Sequence, residues 1–194
     1  DFYQERFMDL TIYNETYDAF CDAITKPNAH ILEIGCGPGN ITKYVLSHRP
    51  DFILEGIDIA PNMVTLAKQN NPDASFSVMD CRDIDQLTSK YDGIICGFCL
   101  PYLSETDSIK LFTDLAFLLN ENGTIYISFM EGTQEQSGYQ TNSRGDRVYF
   151  YYHTLENVIQ QLIANGFEQP TVMRVNYSKA DGTEEVHTIL LVKK

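Results

Sequence analysis

Two periods alternate along the chain. Short apolar runs are separated by longer stretches whose apolar residues recur every three or four positions. Short runs read as buried strands, and the longer period reads as amphipathic helix. Strands are expected over 31–34, 52–59, 75–80, 91–98 and 123–129. Helices are expected over 40–48, 62–70, 105–119 and 155–165, with a short helix or loop at 83–88. Pro61 opens its helix at a position where proline is tolerated. Thr154 caps the last helix and Gly166 ends it. In 105–119 the inward face is Ile109, Phe112, Leu115, Phe117, Leu118 and Leu119. Residues 1–25 carry Phe2, Tyr3, Phe7, Leu10, Ile12, Tyr13, Tyr17, Phe20 and Ile24 at near-helical spacing. They read as one or two helices, either packing or closing as a lid with their tyrosines over a ligand. Segment 131–147 is polar and glycine-bearing, the pattern of a long functional loop. The tail, 167–178 and 184–192, surrounds Asp181-Gly182, a hairpin signal.

Strands alternating with helices predict an α/β fold with a mostly parallel sheet and helices on both faces. The C-terminal hairpin adds an antiparallel strand. Two regions follow: an N-terminal helical lid segment, 1–25, and a single domain, 26–194. Ligands on such sheets bind at the carboxyl ends of the strands, near the switch point beside the first strand. Gly35, Asp58, Asp80 and Gly97 all fall at such ends, so they converge on one crevice. Asp92, at the start of its strand, reads as a solvated strand end.

Bulk properties narrow the class. The 194 residues suit one domain with a substantial core. A net charge of −13 argues against a surface built for nucleic acid or anionic membrane. No apolar run approaches the roughly 18–20 residues that span a bilayer, and no leader pattern is visible. Five cysteines, an odd number lying mostly in apolar segments, fit a reducing cytoplasm better than a disulfide framework. No metal site is expected.

The turn Gly35-Cys36-Gly37-Pro38-Gly39 joins the first strand to a helix, an arrangement that offers backbone N–H groups to a ligand. Glycine permits the tight turn and a close approach. Asp58 lies roughly 20 residues beyond, where an acid pairs with ribose hydroxyls. A dinucleotide fingerprint needs a third glycine where Asn40 stands. Glu33 puts a negative charge beside the turn, which suits a cation better than a pyrophosphate. A ligand with ribose, adenine and an ammonium or sulfonium group fits these features.

The run Glu33-Ile34-Gly35-Cys36-Gly37-Pro38-Gly39 resembles the first motif of class I S-adenosylmethionine-dependent methyltransferases. Further segments are similar to that family in order and spacing: Asp58-Ile59 with Pro61-Asn62-Met63, then Met79-Asp80-Cys81-Arg82. Two more follow: Tyr91 to Phe98, and Leu155 to Phe167. The resemblance covers about 28–192 and implies a three-layer, Rossmann-like sheet. It implies that Gly35, Cys36, Gly37 and Gly39 hold the methionyl part, with Glu33 near its amino group. Asp58 would take the ribose hydroxyls, with Ile59 and Met63 flanking the adenine. Asp80 would take the adenine amino group, with Cys81 and Arg82 alongside. Gly97 and Phe98 would line the methionine portion.

Cys96-Gly97-Phe98-Cys99 is a lone C-x-x-C and reads as small residues at a strand end rather than a redox pair or half a zinc site. Pro101-Tyr102 follows Cys99-Leu100, so the amide or acid of an Asn/Asp-Pro-Pro-Tyr-type motif is absent. That counts against nucleic acid as acceptor. Acceptor contacts are expected from Tyr13, Tyr102, Arg144 and Tyr151. His153 is the general-base candidate by residue type, or it stabilises the turn before Thr154. The expected activity is methyl transfer from S-adenosylmethionine to a small molecule, by a cytoplasmic monomer or homodimer. Methyl transfer to a protein or nucleic acid, and cofactor binding without catalysis, are the rivals.

Overall fold

The computed structural model describes residues 11–141, 145, 147–179 and 182–194. After a 3-10 turn, Thr11–Tyr13, the chain enters helix α1, Asn14–Ala23. Then come β1 (His30–Ile34), α2 (Asn40–His48), β2 (Ile53–Asp58), α3 (Pro61–Asn70) and β3 (Ser75–Val78). A 3-10 segment, Cys81–Gln86, precedes β4, Tyr91–Gly97, and another, Leu100–Tyr102, follows it. Helix α4 (Glu105–Leu118), β5 (Leu119–Met130), β6 (Gly138–Thr141), β7 (Arg147–Phe150), α5 (Leu155–Ala164), β8 (Thr171–Ser178) and β9 (Glu184–Lys193) complete the chain.

The main sheet has the order β3-β2-β1-β4-β5-β9-β8. Strands β1 to β5 are parallel, and β9 runs antiparallel between β5 and β8. The order reverses beside β1, so a crevice opens between the ends of β1 and β4. Register aligns these ends: Ile34 pairs with Ile57 and with Cys96, and Gly97 pairs with Ser128. The residues just past each end therefore share one edge.

Side chains alternate across β1 and divide the core. Ile31 packs with Phe20, Val45 and Tyr126 on the face covered by α1 and α2. Leu32 and Ile34 pack with Phe112, Leu115 and Val158 on the other face, under α4 and α5. Burial of this kind contributes about 1.5–3 kcal/mol per large apolar side chain. Helix α1 is thus part of the packed layer, with Tyr13 and Tyr17 buried. Residues 1–10, including Phe2, Tyr3, Phe7 and Leu10, lie outside the described residues.

Several local expectations change. In α4 the buried residues are Leu111, Phe112, Leu115 and Leu118, whereas Ile109 and Phe117 are 47% and 63% exposed. The Lys90 ammonium lies 3.8 Å over the Phe117 ring, which gives that exposed ring a favourable neighbour. Segment 131–147 is not one continuous loop. It contains a 3-10 turn, Gln134–Gln136, and β6, which pairs with β7 as a separate ribbon. Asp92 is buried, not solvated, and accepts from Lys26 Nζ at 2.8 Å, His30 N at 3.0 Å and Asn120 Nδ2 at 2.8 Å. Asp181 lies outside the described residues. Around it Lys179 N donates to Thr183 O at 2.8 Å and closes the hairpin.

Candidate active site

The glycine turn is built by its neighbours. Gly35, Gly37 and Gly39 have φ of +70°, +51° and +81°, values that L side chains rarely adopt. A Cβ on Gly35 would stand 2.6 Å from Cys99 Sγ. Cys36 N donates to Ile57 O at 2.9 Å, and Gly37 N donates to Asp58 Oδ2 at 2.9 Å. The other Asp58 oxygen accepts from Ala60 N at 2.8 Å, just before α3. From the far end of α3, Asn70 Nδ2 donates to Pro38 O at 2.9 Å and Asn71 Nδ2 to Gly39 O at 3.0 Å. Asp58 and the two asparagines thus fix a turn that has few contacts of its own.

A cavity of about 330 Å³ opens over this turn, within the usual range for small-molecule sites. Gly35 and Gly37 form its floor, and Asp58, Ile59 and Met63 come from β2 and α3. Met79, Asp80, Cys81 and Arg82 come from the end of β3. Gly97, Phe98, Cys99, Tyr102 and Leu103 come from the end of β4. Met79, Cys99 and Leu103 had no assigned place in the site. Met79 and Cys99 adjoin assigned strand-end residues, which is the one signal that could have found them.

Charge in the wall is arranged by pairs. The Arg82 guanidinium holds the Asp80 carboxyl below its usual range: Nε donates to Oδ1 at 2.9 Å, and the backbone N of Arg82 to the same oxygen at 2.9 Å. Cys81 is pushed up to about 12, chiefly by burial, so its thiol stays protonated. Phe98 has φ +54°, an uncommon value for a side chain of this size. Its N–H donates to Ser128 O at 3.1 Å. Strain of this kind clusters at functional sites.

Other assigned residues lie behind the wall. Glu33 is buried below the turn, where Thr42 Oγ1 donates to its Oε2. Cys36 packs with Val64, Ala67 and Phe76 under α3. Gly39 closes the turn against α3. Tyr151 does not line the cavity, but its N–H donates to Pro101 O at 2.8 Å and ties the ribbon to the cavity's rim. Arg144 lies outside the described residues.

His153 also stands away from the cavity. Its Nε2 lies 3.1 Å from Leu100 O and 3.0 Å from Leu103 O. Both partners are acceptors, so this nitrogen carries a proton and anchors the 3-10 turn after β4. The geometry gives the general-base expectation no support, and the turn that His153 anchors is the one at 100–102 rather than the turn before Thr154. A different histidine stands next to the wall. His187 Nδ1 lies 2.5 Å from Tyr13 Oη, and its Nε2 lies 3.2 Å from Glu185 Oε2. Its ring is edge-on to Phe98, 4.9 Å between centroids. Burial holds the His187 imidazole below its usual range despite Glu185. The neutral ring then accepts from Tyr13 through Nδ1 and donates to Glu185 through Nε2–H.

Among the described residues no cluster of His, Cys, Asp and Glu is arranged to hold a metal ion. All five cysteines are free thiols. Cys99 Sγ donates to Ile34 O at 3.2 Å.

The family described as "Methyltransferase domain" matches residues 31–123, which carry every strand end around the cavity. A malonyl-[acyl-carrier protein] O-methyltransferase of Anoxybacillus flavithermus is 32% identical over 164 residues, 78% of this chain and 56% of that one. A trans-aconitate 2-methyltransferase of Klebsiella pneumoniae is 32% identical over 108 residues, 56% of this chain and 42% of that one. The chain spans between about a third and a half of the length of the curated relatives it matches. Among solved structures, an S-adenosylmethionine-dependent methyltransferase of Methanosarcina mazei superposes with a TM-score of 0.75 at 15% identity, covering 89% of this chain and 95% of that one. Magnesium protoporphyrin IX methyltransferase of Synechocystis, solved with bound S-adenosylmethionine, gives a TM-score of 0.68 at 20% identity, covering 95% and 80%. These likenesses show the shared fold. The motifs, the strand order and the matched relatives agree, and together they support a class I S-adenosylmethionine-dependent methyltransferase.

Proposed function

We propose that this chain transfers a methyl group from S-adenosylmethionine to a small, carboxylate-bearing molecule. One observation carries the reading: four parallel strand ends bring three glycines, two acids and a strained aromatic residue onto a single cavity. The residues present fit the cofactor. Each Asp58 oxygen accepts one backbone N–H and keeps a lone pair for a ribose hydroxyl. Ile59 and Met63 offer an apolar wall to a flat ring, and Asp80 keeps acceptor capacity beside Arg82. One oxygen of Glu33, Oε1, is buried without a partner, which suits a cationic donor.

Bound S-adenosylmethionine supplies an electrophilic methyl group on a positive sulfur. The chain's own part is to align the acceptor with that methyl and exclude water. We assign acceptor contacts to Tyr102 at the cavity's rim and to Tyr13, Arg144 and Tyr151. Tyr102 is edge-on to Phe150 of the ribbon, 6.2 Å between centroids. Tyr13 stands behind Phe98 of the cavity wall, edge-on to that ring with 5.8 Å between centroids.

The carboxylate class rests on the relatives' names, malonyl and aconitate, both carboxylic acids. It also rests on the site, where no histidine among the described residues lines the cavity. A carboxylate is ionised at neutral pH and needs no base. The test is incubation with methyl-labelled S-adenosylmethionine and a panel of di- and tricarboxylates, followed by a metabolite extract. Label in a methyl ester is the expected result. Label recovered on an amino-acid side chain of a protein, or on RNA, would overturn the acceptor class.

A further inference from the structure

The backbone of Phe98 lies in the left-handed region, at φ +54°, which is unfavourable for a side chain of this size. Such a conformation persists only where its surroundings over-determine it. Part of the hold is on the backbone. The Phe98 N–H points at Ser128 of β5, with both the carbonyl oxygen and Oγ at 3.1 Å. The rest is on the ring. One side of it lines the cavity, and two aromatic neighbours stand edge-on to it: His187 at 4.9 Å and Tyr13 at 5.8 Å between centroids.

His187 belongs to β9, where it pairs with Met130 at the end of β5 and with Val175 of β8. It is buried, and its imidazole has little freedom to turn. Nδ1 accepts from Tyr13 Oη at 2.5 Å, and Nε2–H donates to Glu185 Oε2 at 3.2 Å. The Tyr177 ring stacks on it, 5.1 Å between centroids and 15° from parallel. Glu185 is held in turn by Lys179 Nζ at 3.0 Å. Partners on both ring nitrogens fix the tautomer and the plane of the ring. Packing alone would ask only for an apolar residue here. An imidazole bonded at both nitrogens presents one edge to Phe98 in one orientation.

We propose that His187 is a positioning residue for the methyl-transfer site: it holds the Phe98 ring against the cavity and thereby sets the affinity for the cofactor. Tyr13 and Glu185 act through it. The inference rests on the cofactor reading above. It adds three side chains, from the turn before α1 and from the C-terminal hairpin, none of which lines the cavity.

The experiment is calorimetry of S-adenosylhomocysteine binding, with the melting temperature read on the same samples. His187→Ala should weaken binding about tenfold, the size of effect expected between side chains in contact. Phe98→Gly should weaken it similarly, since glycine accepts the positive φ but leaves no ring. The double variant decides. Adding His187→Ala to Phe98→Gly should change affinity by less than about twofold, because the group that transmits the effect is already gone. The melting temperature should fall with His187→Ala in both backgrounds, so loss of stability alone does not give this pattern.

Two conservative variants separate the ring from its hydrogen bonds. His187→Asn keeps an amide beside Tyr13 but no ring edge, and it should bind as weakly as His187→Ala. Tyr13→Phe keeps a ring against Phe98 and loses the hydroxyl. It should weaken binding about threefold, as loss of one hydrogen bond does, and should have no effect in Phe98→Gly. Losses that multiply in the double variant overturn the proposal. So does unchanged affinity in His187→Ala. Should His187→Ala fail to fold, His187→Asn and Tyr13→Phe, each with and without Phe98→Gly, decide the same question. No binding by the wild type at millimolar ligand overturns the cofactor reading itself, and this inference falls with it.

Discussion

Asp58 shows how much one side chain can carry. It holds the glycine turn through Gly37 N and starts α3 through Ala60 N, and its remaining lone pairs face the cavity. Asp58→Ala should weaken S-adenosylhomocysteine binding by about 2–4 kcal/mol, since charged hydrogen bonds are worth about 1.5–3 kcal/mol each. Calorimetry checks this, and equal affinity in mutant and wild type would contradict it. The glycines allow a second comparison. Gly35 and Gly166 both have positive φ, but only at Gly35 would a Cβ meet another atom. Gly166→Ala should cost about 1–2 kcal/mol from backbone strain alone. Gly35→Ala should cost more, because Cys99 must also move; equal urea midpoints for the two would refute the close-approach argument. Residue type alone was a poor guide where neighbours decide. His153 reads as a base or as a turn stabiliser until two carbonyls are found on its Nε2.

Elements were legible where periodicity was strong. The run 31–34, the Pro61 helix start and the Thr154 cap each sit where the local pattern put them, because these are short-range effects. In α4 the cap at Ser104 adds a reciprocal bond with Asp107. Ser104→Ala should destabilise the protein by about 1 kcal/mol, read by urea unfolding; no change would mean that tertiary contacts alone hold that end. The ribbon was not legible. Its strands are four residues each, the intervening residues are polar, and its pairing brings Tyr139 against Tyr149, 5.1 Å between centroids. Asp92 was misjudged for a related reason. Its partners, Lys26, His30 and Asn120, are remote in sequence and meet only at the foot of the sheet. Burial pushes its carboxyl up, but these hydrogen bonds outweigh burial and hold it below the usual range. A lowered carboxyl contributes stability above its unfolded value, near 4, and loses it as pH falls. Asp92→Ala should therefore cost about 2–3 kcal/mol at pH 7, and the gap to wild type should narrow by pH 3. A gap of the same size at both pH values would show that the ionised group is not what matters.

For the whole molecule the sign at Glu33 is the opposite. A raised carboxyl contributes stability below its unfolded value and loses it as pH rises through the folded one, here about 8. The net charge of −13 adds self-repulsion in the same direction. The melting temperature of the cofactor-free protein should therefore fall between pH 6 and 8.5. Glu33→Gln should shrink that fall. A flat profile in the cofactor-free wild type would refute the assignment.

The sequence by itself determined the alternation of strands and helices, the glycine turn, and the acids placed at successive strand ends. Those features follow from local propensity and from spacing along one chain. Only the tertiary structure decided which groups lost water and which found partners. The burial of Glu33, the anchoring of His153 and the pairing of Tyr13 with His187 all depend on segments far apart in sequence, and desolvation exists only once those segments have packed.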